Sequence, residues 1–167
     1  MGLIVAEALY PGYSISKCEI SYLGIGPSAM VYNVSVFLLG LLLIIGTYFL
    51  QRAFNIKIFT VLLILTSLGY MGIGIFTHNS YPIHYTAAVI TFLFGGLSAI
   101  YSYKLMKLPF SLINVLLGLI ALSASVFYLV KQYLGLGPGG IESMMVYPIL
   151  IWIIGFGGYL IAFPEKL

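Results

Sequence analysis

Two histidines, His78 and His84, sit six positions apart in the stretch THNSYPIH, and Glu19 and Glu142 are two of only four acidic residues. An imidazole changes charge near neutral pH, so His84 is a candidate general base, with Glu142 as the carboxylate that orients it. That pair would suit an enzyme that modifies a lipid at the outer membrane surface. The plainer role for His84 is a bond to a backbone carbonyl at the membrane interface. His78 and His84 as a metal pair is weaker chemistry. Their offset across Pro82 follows neither a helix face nor a strand face, and Glu19 or Glu142 would have to complete the shell. Both histidines lie in one loop, whereas haem between helices takes axial ligands from opposed walls, so no cofactor is expected. Asn33 is an amide in an apolar stretch and must find partners inside a bundle. Cys18 is the single cysteine, which excludes an intramolecular disulfide. The binding candidates are therefore Asn33, His84, Glu142 and Glu19.

These residues need elements to position them, and composition says what kind. The chain has 167 residues, 62% hydrophobic and 7% charged. Its mean hydropathy is +1.13. A soluble domain carries about 25% charged residues, so lipid must cover much of this surface. A net charge of +3 is too sparse for a nucleic-acid footprint. Five apolar runs, near 29–50, 58–76, 85–103, 110–130 and 144–163, are each about 20 residues, the length a bilayer core requires. With no water at that depth they must be helices. Met1–Tyr10 (MGLIVAEALY) would span about 15 Å, half the hydrocarbon thickness, and predicts a half-helix. The fold expected is an all-α integral membrane bundle of five full spans and one short N-terminal helix, forming a single domain. Ser14–Pro27, Thr77–His84 and Lys131–Ser143 read as loops.

Basic residues orient the bundle. Arg52, Lys57, Lys104, Lys107 and Lys166 fall on one side, and Lys17 and Lys131 on the other. The richer side belongs in the cytoplasm, which puts the N-terminus outside, the C-terminus inside and the histidine loop outside, in a plasma membrane. Gly95 with Ala99, and Gly155, Gly157 and Gly158, are small residues that let helices approach closely. They serve either packing within the bundle or a seam between two copies. Trp152 sits mid-span and reads as packing.

Three blocks carry a family resemblance: PGYSISKCEISYLGIGPSAMVYNVSV, GIGIFTHNSYPIHYTAAVITFLFGGLSAI and GGIESMMVYPILIWIIGFGGYLI. In this order they resemble a prokaryotic membrane family, domain of unknown function 998, over nearly the whole chain. The resemblance implies a polytopic helical protein, usually of six spans, and brings no activity with it. MGLIVAEALY then corresponds to the last half of the first span. Either the native start lies upstream of Met1, or this member has five full spans and a remnant of a sixth. His84 and Glu142 fit the family pattern. The chain departs from it at Tyr22, where the family has Asp, at Thr77-His78, where it has Pro-Glu, and at Glu142-Ser143, where it has Glu-Arg.

Lost polar positions lower an enzyme reading. The function expected is therefore non-catalytic, with the outward face contacting a lipid or a partner subunit, in another copy or another membrane protein. A lipid-modifying enzyme built on His84 and Glu142 is the alternative. A channel or carrier has less support, because no span holds a charge near its middle.

Overall fold

A computed structural model describes residues 1–162. Six α-helices follow in order: α1 (Gly2–Leu9), α2 (Ala29–Phe54), α3 (Lys57–Ile75), α4 (Tyr81–Tyr101), α5 (Phe110–Leu129) and α6 (Gly137–Ala162). Short 3-10 segments cover Ile20–Gly24 and Ser102–Leu105. Five helices are long and apolar enough to cross a membrane. Each of α2 to α5 packs against the next helix, α6 also packs on α4, and α1 lies on α2. The turns at 76–80 and 130–136 share one end of the bundle with residues 10–28, called here the histidine end. Arg52, Lys57, Lys104 and Lys107 lie at the other.

The helices face two solvents. Large apolar side chains such as Leu42, Phe49, Leu116 and Ile154 point outward and are exposed, as a lipid-covered surface requires. Phe59, Tyr101, Trp152 and Phe156 form an aromatic cluster inside. Trp152 is fully buried there, and its indole N–H donates to Ser102 Oγ at 3.0 Å. The Asn114 amide donates to the same oxygen at 2.9 Å. Hydroxyls within the spans bond their own helix: Thr66 to Leu62, Ser67 to Leu63 and Thr91 to Ala87. No water is needed to satisfy them.

The small residues of α4 are spent inside one chain. A Cβ at Gly95 would meet Ile149 at 3.0 Å, and one at Gly96 would meet Leu122 at 2.7 Å. Gly155, Gly157 and Gly158 have nothing within 4 Å among the described residues.

Three boundaries differ from the sequence reading. Residues 137–143 are helix rather than loop, so Glu142 and Ser143 stand inside α6. The glycines there serve close approach. A Cβ at Gly139 would fall 2.1 Å from the Cys18 carbonyl, and Gly137 has φ +76° beside Ser16. The chain at 15–18 thus lies directly on the first turns of α6. His84 is likewise in the first turn of α4, which starts at Tyr81 because Pro82 suits the opening of a helix. Ile20–Gly24, inside a stretch read as loop, is a buried 3-10 turn. Phe163, Glu165 and Lys166 lie outside the described residues, so one basic residue of the orientation argument is not placed.

Crowding between α4 and α5 makes a prediction. A Cβ at Gly118 would fall 2.6 Å from the Gly96 carbonyl oxygen, a backbone atom that cannot step aside. Gly118→Val should cost roughly 1–3 kcal/mol through overpacking. Gly155→Val, in open space, should change stability by less than about 0.5 kcal/mol. Thermal unfolding of both variants in one detergent checks this.

Candidate functional site

The end of α3 and the start of α4 build the first part of the site. Phe76 closes α3, and its carbonyl is one of those a helix leaves unpaired. His84, 7% exposed, puts Nδ1 2.7 Å from that oxygen. A carbonyl only accepts, so Nδ1 carries the hydrogen. In the neutral ring Nε2 is then an acceptor, and it has no protein partner among the described residues. His78, in the turn between the helices, has Nδ1 3.4 Å from Ser21 Oγ. Its ring lies against Tyr22, tilted by 35° with centroids 4.5 Å apart, and meets His84 edge to face at 5.8 Å.

Glu142 builds the second part. It is 8% exposed, and its carboxylate accepts the backbone N–H of Ser21 at 3.4 Å. The Ile20 amide and the Ser21 hydroxyl lie beside it. Glu19, just before the same 3-10 segment, accepts the Tyr128 hydroxyl from α5 at 2.8 Å. Glu19 is close enough to interact electrostatically with both Glu142 and His84.

These groups line one end of a cavity of about 620 Å³ between α4, α5 and α6. Below them the walls are apolar: Ala88, Phe92 and Leu93 on α4, Leu122 and Val126 on α5, and Met145 on α6. From His84 to Leu93 the helix descends about 14 Å at 1.5 Å per residue, close to one leaflet of a 30 Å hydrocarbon core. Val89 and Leu93 on one rim and Val126 and Leu129 on the other are exposed, so the cavity opens sideways between α4 and α5.

Of the sequence candidates, Glu19, His84 and Glu142 share this cavity, together with His78. Asn33 is not among the residues that line it. Its amide donates to the Gly24 carbonyl at 3.0 Å and so holds the end of the 3-10 segment, while its Oδ1 is buried without a partner. The Phe76 carbonyl, not Glu142, orients His84, and no hydrogen bond joins His84 to Glu142 among the described residues. No group of three or more His, Cys, Asp or Glu side chains forms a metal site among them either. Sequence reasoning missed Tyr128, whose partner lies far along the chain. It also missed Tyr147, whose hydroxyl donates to Glu7 of α1 at 2.6 Å. Nearby, burial pushes the Tyr13 hydroxyl up from its ordinary range, with the charges of Glu7 and Glu142 adding to it. That hydroxyl is enclosed without a partner.

Five apolar helices and an amphipathic side cavity define a multi-pass membrane protein. The model of the family described as protein of unknown function (DUF998) matches residues 1–159, and the chain belongs to that family. No curated protein and no solved structure matches it.

The Glu142 bonds predict a graded response. Glu142→Ala should free the Ile20 and Ser21 amides and cost about 1–3 kcal/mol, the penalty of stranding buried donors. Glu142→Gln keeps an acceptor and should lose less. Hydrogen exchange at Ile20 and Ser21, measured beside thermal unfolding, should quicken in the first variant and much less in the second.

Proposed function

We propose that this protein binds a membrane lipid in the cavity between α4 and α5 without transforming it. The supporting observation is the division of that cavity into a polar end and an apolar wall about one leaflet deep. A chain lying against Phe92, Leu93 and Leu122 buries apolar surface, and a headgroup meets Glu19, His78, His84 and Glu142. Pockets of 300–1,000 Å³ are the usual size for a small-molecule site. Binding is favoured over reaction by how the polar groups are committed. His84 is held by a neutral carbonyl and Glu142 by the 3-10 segment, so the base-and-carboxylate pair that hydrolysis would use is not assembled.

The same proposal places the histidine end outside the cytoplasm, in a plasma membrane. Arg52, Lys57, Lys104 and Lys107 gather at the other end, against Lys17 and Lys131 here.

Two measurements test this. Wild-type protein extracted in mild detergent should carry lipid adducts in native mass spectrometry. Ala88→Trp, which fills the apolar wall, should lose most of them, and equal retention by the variant would refute the site. For orientation, Ser80→Cys in a Cys18→Ser background should react with a membrane-impermeant thiol reagent on intact cells. Reaction from inside-out vesicles alone would reverse the topology.

A further inference from the structure

Resting on that lipid-binding reading, we infer that the headgroup is a primary ammonium, as in phosphatidylethanolamine, held jointly by Glu19, Glu142 and His84 at the polar end of the cavity. Three acceptors meet there. Glu19 spends one recorded bond on the neutral Tyr128 hydroxyl, and Glu142 binds backbone amides and a serine. Neither makes an ion pair among the described residues. A carboxylate has about four lone-pair sites, so both keep capacity. The third acceptor is His84 Nε2, on a side chain more than nine-tenths buried that lines the cavity, with its other nitrogen committed to Phe76.

Two carboxyl groups in a partly desolvated cavity call for a shared proton or a cation, and an ammonium supplies donor and charge together. Lys131 lines the same cavity but is exposed and forms no ion pair with either. It is free to meet the phosphate of a zwitterionic headgroup. A primary ammonium has three N–H donors, which matches three acceptors. A trimethylammonium head has none and would leave the spare accepting capacity of all three unused. Its usual hosts are aromatic faces set around the cation. Here the four lining tyrosines pair with one another instead, Tyr81 with Tyr85 at 5.6 Å between centroids and Tyr128 with Tyr133 at 6.4 Å.

The test is competitive binding to the full-length purified protein, read by native mass spectrometry. Dioleoyl phosphatidylethanolamine, phosphatidylcholine and phosphatidylglycerol are supplied in equal amounts. The ethanolamine lipid should be preferred over each of the others by about tenfold, the scale of one charged hydrogen bond. Glu19→Gln, which keeps the Tyr128 bond, should bring it down to the level of the choline lipid. Equal binding of the ethanolamine and choline lipids, or a preference that survives Glu19→Gln, would overturn the headgroup assignment and leave lipid binding standing. Phosphoethanolamine binding as tightly as the lipid would show that chains do not matter, and would overturn the lipid as the source of the amine. Binding of none of the three lipids would remove the lipid reading and this inference with it.

Discussion

Backbone that leaves a regular helix must pair its amides with protein or with water. Between α1 and α2 the chain runs for some twenty residues over the histidine end, and the Glu142 carboxylate supplies its central partners. Most of the site depends on this tie. It fixes the 3-10 segment Ile20–Gly24, which carries Ser21 to His78 and brings Glu19 to Tyr128. It also explains the glycines at 137 and 139. The first turns of α6 must lie close under the segment that Glu142 binds, and only a residue without a side chain leaves room.

The three described glutamates share a habit. Glu7 takes a tyrosine hydroxyl from α6, Glu19 one from α5, and Glu142 takes backbone and serine. Hydrogen bonds to an ionised acceptor are stronger than neutral ones, and stronger still away from water. They join parts of the chain 109 to 140 residues apart. The short α1, too brief to cross a bilayer, is held by packing on α2 and by Glu7 reaching Tyr147.

Most of the architecture was legible from the residues. Five apolar runs of bilayer length became five long helices, and MGLIVAEALY became one short one. Hydropathy reads these well because lipid leaves the backbone no other choice. What was not legible has a physical cause in each case. LGLGPGG looks like a turn because glycine and proline usually interrupt helices, yet here Gly137 and Gly139 are required by a neighbouring backbone distant in sequence. Ile20 and Leu23 are fully buried, but five residues between polar neighbours show no periodicity. Glu19, His84 and Glu142 were picked for their chemistry, and the bundle gathers them. Asn33 was picked on the same ground and serves the loop instead, because nothing local tells which side of a helix an amide will face. Tyr22 and His78, far apart in sequence, bring their rings together at a tilt of 35°.

The sideways mouth between α4 and α5 has a kinetic meaning. A guest entering there never crosses an aqueous phase. For a lipid guest, as proposed above, supply would be two-dimensional, and occupancy would follow the mole fraction of each species in the surrounding leaflet rather than any concentration in water.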